Sequence, residues 1–422
     1  MKHYQVIIVG GGQAGLSVSY CLKKENINHL ILDRGQIGDT WSKHRWDSFC
    51  LVTPNWQCRL PGFDYDGNDP KGFMLKDEIV DYIKRYVASF NPPIKNNVSV
   101  ERIYKENQDV FNIETSIGSF TADKVVIATG AYHIPNVLPI AGKFPKSILQ
   151  IHSDNYKNPG QCKDGAVLVI GTGQSGAQIT EDLHFEGKKV FLAVGNAPRA
   201  PRTYRGKDAV EWLEDMGYYD QPIESHPDPE EARHKTNHYL TGRDGGRDID
   251  LRKLASEGVV LRGQIAAINN DGVVGFNADL KYNLDEADKT YNRILKNIDD
   301  YIIANNIEAP KGIYYQPVWE PNDSNNQSID LEKEGINTVI WCTGYKVDYK
   351  WIEFPSVFDQ RGFPIYKRGV TDESGLYFIG LPWLHTWGSG RFSHVGIDAE
   401  YLSNQIVNEL EEEVETCLNR KF

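Results

Sequence analysis

The chain has 422 residues, of which 40% are apolar and 25% charged, and a formal net charge of −12. That length allows about two or three domains with sizeable cores. The acidic balance argues against general affinity for nucleic acid or an anionic membrane surface, and no run approaches the about 18 consecutive apolar residues of a membrane span.

The first predicted element is a buried parallel strand, Tyr4 to Val9, which runs into Gly10-x-Gly12-x-x-Gly15. It lacks a basic leader or cleavage site, so a cytoplasmic protein is expected. A strand that turns into a helix through this spacing is a dinucleotide fingerprint. One glycine makes the tight turn, one admits the pyrophosphate, and one lets helix and strand pack closely. The free N–H groups at the positive end of the helix then hold the anion. Next come Leu30, Ile31 and Leu32, closed by Asp33, about 20 residues on, where an acid meets a ribose 2′-hydroxyl. A further strand, Lys124 to Ala128, ends in Ala128-Thr129-Gly130.

A second fingerprint, Gly171-x-Gly173-x-x-Gly176, follows the strand Ala166 to Ile170. The strand after it, Val190 to Val194, ends at Gly195 and Asn196 without an acid, and Arg199, Arg202 and Arg205 follow. A missing acid with nearby arginines favours the 2′-phosphate of NADPH, and a solvated loop is the competing account of each arginine. From about 203 to 335 the pattern turns polar and turn-rich, as in Ser225 to Glu231 and Pro321 to Asn326, too long for an ordinary connection. Within it Leu284 to Asn305 reads as a helix, so a partly helical insertion is predicted, with a lid, a homodimer contact or plain embellishment as its roles. Val339 to Tyr345 then repeats the earlier Thr-Gly ending. The expected fold class is α/β with two nested Rossmann-like dinucleotide-binding domains. An FAD-binding domain, 1–158 and 336–422, is interrupted by an NADPH-binding domain, 159–335.

The six cysteines, Cys21, Cys50, Cys58, Cys162, Cys342 and Cys417, show no C-x-x-C and no metal-ligand spacing, which points to reduced thiols and no metal site. Cys50 and Cys58 are too far apart for the close pair through which flavoprotein disulfide reductases pass electrons. With no serine triad or acid/base pair in view, the chemistry is expected to be borne by cofactors.

Taken together, Gly10-Gly11-Gly12-Gln13-Ala14-Gly15, Gly38-Asp39-Thr40-Trp41, Ala128-Thr129-Gly130, Gly171-Thr172-Gly173-Gln174-Ser175-Gly176, Thr343-Gly344-Tyr345 and Leu376-Tyr377-Phe378-Ile379-Gly380 resemble the class B flavoprotein monooxygenases. The resemblance spans nearly the whole chain and is greatest to small soluble bacterial members similar to flavin-containing monooxygenases. It implies that Gly10, Gly12, Gln13, Ala14, Gly15, Asp33, Arg34, Gly38, Thr40, Ala128, Thr129 and Gly130 hold FAD, that Trp41 and Arg45 line its cleft, and that Gly380 and Asp398 close over its ribityl and flavin end. It likewise implies that Gly171, Gly173, Gln174, Ser175 and Gly176, with Thr343 and Gly344, hold NADPH, to which the arginine argument adds Arg199 and Arg202. Asn55 matches the family's asparagine near the reactive flavin edge, with a simple Pro-Asn turn as its alternative. The family's identifying motif, F-x-G-x-x-x-H-x-x-x-(Y/F), is departed from. Phe144 precedes His152 by eight positions, and only His152-Ser153-x-x-Tyr156 matches.

The expected reaction follows from that resemblance. NADPH reduces the flavin, the reduced flavin captures oxygen as a peroxide, and a small soft nitrogen, sulfur or carbon nucleophile takes the distal oxygen in a site kept dry. Trp383, His385, Trp387, Arg391, Phe392 and His394 read as the wall of a substrate pocket or as packed core. An NADPH-dependent flavin reductase or oxidase without oxygen transfer, and a non-catalytic nucleotide-binding regulator, share every nucleotide motif.

Overall fold

The computed structural model describes residues 1–106, 110–322 and 327–419; the end of the polar stretch named above, 323–326, lies outside the described residues. The first sheet contains β1 (Lys2–Val9), β2 (His29–Leu32), β3 (Ile94–Lys95), β4 (Val100–Lys105), β5 (Phe111–Thr115) and β6 (Gly118–Ile127), in the order β3-β2-β1-β6-β5-β4. Val9 pairs with both Leu32 and Ile127 in parallel register. Gly10, Asp33 and Ala128 therefore leave the sheet at one edge, where a doubly wound fold places its ligands. The first half of β6 pairs antiparallel with β5, and its second half pairs in parallel with the late strand Leu376–Phe378. That pairing brings Gly380 back to the same edge.

The second sheet is wholly parallel: β7 (Leu149–His152), β8 (Ala166–Ile170), β9 (Val190–Ala193), β10 (Val260–Arg262) and β11 (Ile336–Trp341), in the order β7-β11-β8-β9-β10. Parallel strands covered on both faces read as unbroken apolar runs. All five residues of β8, Ala-Val-Leu-Val-Ile, are buried. Alternate residues feed two core layers, Val167 and Val169 one and Leu168 and Ile170 the other.

Two expected boundaries move. β11 lies between β7 and β8, so the second domain runs from β7 to Gly344 instead of from 159 to 335. The Thr-Gly ending marks a strand inside each nucleotide sheet, and the return to the first domain begins after it. The insertion also shrinks. β10 is a strand of the second sheet, and Ile265–Ile268, Val273–Phe276 and Ser328–Asp330 form an antiparallel sheet packed on Leu168, Ile170, Val339 and Trp341. What remains inserted has a core of its own. The long helix Leu280–Ala304 presents Tyr291, Leu295, Ile298 and Ile302 to Tyr204 and Trp212, the three-and-four spacing of one helix face. Among the described residues no helix is long and apolar enough to cross a membrane.

Candidate functional site

The two fingerprint loops are built alike. Helix α1 (Gln13–Lys24) follows the first, and helix α2 (Gln174–Phe185) follows the second. Gly10 and Gly171 have φ of +109° and +102°, and a Cβ there would lie 2.6 Å from the Ala128 carbonyl oxygen and 2.5 Å from that of Cys342. A Cβ on Gly15 would lie 1.9 Å from the Gly10 oxygen, and one on Gly176 would lie 1.9 Å from the Gly171 oxygen. Only glycine suits any of the four positions. Neither helix has a side-chain cap at Gly12 or Gly173, so the leading N–H groups remain for an anion.

The surroundings of the middle glycines differ. Nothing lies within 4 Å of a Cβ built on Gly12. At Gly173 the Thr236 methyl stands 3.6 Å from the corresponding point. The backbone there belongs to a strap from the insertion, tied down by Gln174 and Gln178, whose Nε2 groups donate to the Leu240 carbonyl at 2.5 and 2.8 Å. Ser175 is part-exposed in the same turn.

Asp33 accepts from the Gly11 and Gly35 amides at 2.5 and 2.7 Å, bracing the first loop and leaving lone pairs for ribose hydroxyls. In the second loop the roles are exchanged, and the Thr172 hydroxyl accepts from Gly195 N–H at 2.9 Å. Arg34 and Thr40 are exposed and Gly38 is buried. Trp41 stacks on Phe392 with ring centroids 5.8 Å apart, and the Arg45 guanidinium lies over Trp41 and Phe49 at 5.3 and 5.6 Å. The returning segment closes on α1: Gln13 donates to the Gly390 carbonyl at 3.3 Å, and a Cβ on Gly380 would meet Ala14 at 2.8 Å. Asp398, in the first turn of the helix Val395–Asn419, is buried with its Oδ2 unpartnered, and burial pushes its carboxyl up to about 6. An unpartnered buried acceptor, an open Gly12 and an uncapped α1 together fit a dinucleotide that brings its own hydroxyls and phosphates.

Tyr132 and Tyr345, just past Gly130 and Gly344, touch at a centroid distance of 5.1 Å, and Ile134–Pro135 pairs antiparallel with Tyr345–Lys346. The exits of both sheets therefore meet at this contact. Thr129 and Thr343 serve this junction: Thr129 Oγ1 lies 3.2 Å from His133 Nε2, and Thr343 donates to the Asn136 carbonyl while Asn136 returns a bond of 3.0 Å to the Thr343 carbonyl. Beside it Tyr345 donates to Asp154 at 2.9 Å and His44 Nδ1 lies 2.8 Å from the other Asp154 oxygen. Burial alone would raise the Asp154 carboxyl, and these two bonds hold it below its ordinary value.

Three expected residues are committed elsewhere. Arg199 is 2% exposed and pairs with Asp288 at 2.8 Å, and Arg202 is 1% exposed and pairs with Asp208 at 2.6 Å. Arg199 ties the insertion helix to the second domain, and Arg202 also donates to the Val52 carbonyl of the first domain at 2.8 Å; neither reaches a 2′-phosphate without abandoning its carboxylate. Asn55 donates to the Asp69 carbonyl at 2.9 Å and accepts from Met74 N–H at 2.7 Å, so its amide pins its own loop. The motif remnant is likewise architectural: His152 Nε2 lies 3.1 Å from the Gly344 carbonyl, and Tyr156 donates to Asp182 at 2.7 Å.

The aromatic segment 383–394 is brought against the insertion. Ile223 N–H donates to the His385 carbonyl at 2.7 Å and Gly388 N–H to the Tyr219 carbonyl at 3.2 Å. Trp387 meets Tyr218 and Tyr219 at centroid distances of 5.3 and 4.7 Å, and Arg391 lies 3.9 Å over Trp387. His394 stacks on Tyr219 and reaches Asp220 at 3.1 Å, while Trp383 packs on His226. Tyr218 and Tyr219, against Trp387, and Asp154, between His44 and Tyr345, carry no motif, and only these contacts mark them.

Residues 7–222 match the family described as pyridine nucleotide-disulphide oxidoreductase. The chain is 34% identical over 411 residues to an uncharacterized oxidoreductase, CzcO-like, of Geobacillus kaustophilus, covering 97% of this chain and 100% of that one. It is 30% identical over 200 residues to indole-3-pyruvate monooxygenase YUCCA6 of Arabidopsis thaliana, covering 45% of this chain and 48% of the relative. The fold is similar to that of a flavin-containing monooxygenase from Stenotrophomonas maltophilia, with a TM-score of 0.65 and 17% identity over 97% of this chain and 100% of that one.

Proposed function

Because this chain belongs to the pyridine nucleotide-disulphide oxidoreductase family, as a flavin-dependent oxidoreductase of flavin-monooxygenase-like type that uses flavin and nicotinamide cofactors, we propose that it is an NADPH-consuming, FAD-dependent monooxygenase of a small soft nucleophile. The observation that carries this reading is the contact between Tyr132 and Tyr345. It joins the chain just past the two like-built sheets, which supports the reading that dinucleotides at Gly12 and Gly173 would lie on either side of one junction.

Bound flavin would supply hydride acceptance from the nicotinamide and activation of oxygen. The chain's own residues bind, orient and exclude water. The N–H groups ahead of α1 and α2 take the two pyrophosphates, Asp33 the adenosine ribose, and Asp398 a hydroxyl further along the FAD chain. Trp41 on Phe392 and Trp387 on Tyr218 and Tyr219 put packed aromatic rings around the segment that closes the first domain, which would help keep a reacting centre dry. The thiols are poorly suited to disulfide chemistry: desolvation pushes Cys58 up to about 12 and Cys21 and Cys162 up to about 11, away from the thiolate that such chemistry requires.

The test is rapid mixing of anaerobically NADPH-reduced holoenzyme with oxygen, without substrate. A long-lived species absorbing in the near ultraviolet, distinct from oxidised flavin, is the expected result. Direct return to oxidised flavin would instead make the protein a reductase or oxidase, and failure of NADPH to reduce the flavin would make it a nucleotide-binding regulator.

A further inference from the structure

The core beneath α2 is drawn from residues 156–342 with one exception. Trp46, 4% exposed, is a buried member of it beside Tyr156, Val167, Val169, Ala177 and Ile340, although it belongs to the chain of the first domain. Phe49, three residues on, packs against this core and against that of the first domain, with its ring edge-on to Trp46 at a centroid distance of 5.1 Å. Among the described residues no other buried side chain of these two cores crosses from one domain to the other. A domain that turned against its neighbour would have to draw this indole out of a close-packed interior.

Hydrogen bonds fasten the same segment from both sides. Asp47 N–H donates to the Lys157 carbonyl at 2.7 Å, and the Lys157 ammonium returns to the carbonyls of Lys43 and Arg45. The Asp47 carboxylate accepts from Asn158 of the second domain at 2.7 Å and from Lys76 of the first at 2.8 Å. Ser48 donates at 2.5 Å to Asp182, a buried carboxylate on α2 that also accepts from Tyr156 and Arg243. In the other direction Trp46 is preceded by Trp41 and Arg45, and the Arg45 guanidinium lies over Trp41 and Phe49. The stretch 41–48 thus runs from residues proposed to line the FAD cleft to the helix proposed to receive the second pyrophosphate. Hinges absorb their motion in a few residues free to change φ and ψ, and this stretch is pinned to both domains.

We propose that residues 43–49 form a fixed joint in which Trp46 and Ser48 are positioning residues: they set the separation of the two nucleotide sites, so the domains keep one mutual orientation when the second nucleotide binds. The joint rests on packing and hydrogen bonds alone. Its consequence for the reaction rests on the reading of Gly12 and Gly173 as the two nucleotide sites, and the experiment separates the two.

Proteins carrying Trp46→Leu, Trp46→Phe and Ser48→Ala are compared with the unaltered one, each first checked for flavin content and melting temperature. Spin labels on noncanonical amino acids at the exposed Glu101 and Glu186, one in each domain, report the distance between domains in flavin-free protein and in holoenzyme with and without NADP+. Anaerobic mixing with NADPH, in which hydride passes to the flavin and leaves NADP+, gives the half-saturating concentration and the limiting rate per bound flavin. The unaltered protein should show one narrow distance in all three states. Trp46→Leu should broaden it and lower the limiting rate by up to about 100-fold, as misplacement of reacting atoms by about an ångström does, with half-saturation little moved. Trp46→Phe should recover most of that rate, and Ser48→Ala should broaden the distance and lose part of the rate. A second distance in the unaltered protein, or a shift on adding NADP+, overturns the joint. Lower stability or flavin content in Trp46→Leu with an undiminished limiting rate overturns the positioning role. If Trp46→Leu does not fold, Ser48→Ala decides, and an unchanged distance and rate there overturn the proposal. Failure of NADPH to reduce the flavin of the unaltered protein overturns the two-nucleotide reading and leaves the distance comparison in flavin-free protein to decide the joint.

Discussion

Glycines of one fingerprint do different jobs, and substitution separates them. Alanine at Gly15 would drive a methyl to 1.9 Å from the Gly10 oxygen, whereas alanine at Gly12 meets nothing within 4 Å. Gly15→Ala is therefore expected to destabilise the first domain by ~3 kcal/mol or more, as overpacking does. Gly12→Ala should leave the melting temperature of flavin-free protein within a degree or two and lower flavin content; scanning calorimetry beside flavin absorbance reads both. A second residue, Asp398, links protonation to folding. Its buried carboxyl titrates at about 6, against about 3.9 in an unfolded chain. The folded state thus holds the proton longer, so flavin-free stability is full below about pH 4 and falls by roughly 3 kcal/mol as pH rises to about 6. Asp398→Asn should abolish that fall while reducing flavin retention. An unchanged unfolding free energy in denaturant titrations at the two pH values would refute the burial account.

At the scale of elements, the strap around Thr236 is the feature that a nucleotide proposed for Gly173 would negotiate. Its grip on α2 is two donor bonds to one carbonyl, that of Leu240, each worth about 1 kcal/mol, beside the backbone pairing of Tyr239 with Pro198 and Ala200. Gln178 lies beyond the first turn of α2, so Gln178→Ala loosens the strap without touching the turn that receives the pyrophosphate. Amide exchange in 235–240 should quicken, and the half-saturating NADPH concentration should fall up to about fivefold, because less of the binding energy goes into moving the strap. A rise in that concentration would mean that the strap is already placed to bind. The ion network behind it, Arg199 and Arg252 on Asp288, explains why the strap has a rigid base: removing one member leaves a buried charge uncompensated.

For the whole molecule, the central place of β11 sets where the second domain can be cut. β11 pairs with both β7 and β8, so a fragment spanning 159–335 lacks two of five strands and exposes the edge of β8 through its whole length. A fragment spanning 137–344 retains the complete sheet. Circular dichroism and heteronuclear NMR are expected to show the longer fragment folded and the shorter one not. A folded shorter fragment would show that β7 and β11 are dispensable to the core.

The features legible along the chain were local ones. Strand, turn, glycine spacing and the following helix are encoded within about 20 residues, which is why both fingerprints, Asp33, the two Thr-Gly endings and the helix of the insertion were legible from periodicity and spacing. Domain limits were not, because a parallel strand finds its neighbours across any length of chain; β11 and β7 look the same in sequence whichever sheet they join. Arg199 and Arg202 had the right type and place for a phosphate, and only the tertiary structure revealed Asp288 and Asp208 beside them. Arg391 was visible as one of an aromatic-rich run. Its seat on Trp387, whose ring Tyr218 and Tyr219 also pack against, exists only once distant segments are brought together, since packing joins residues across any length of chain.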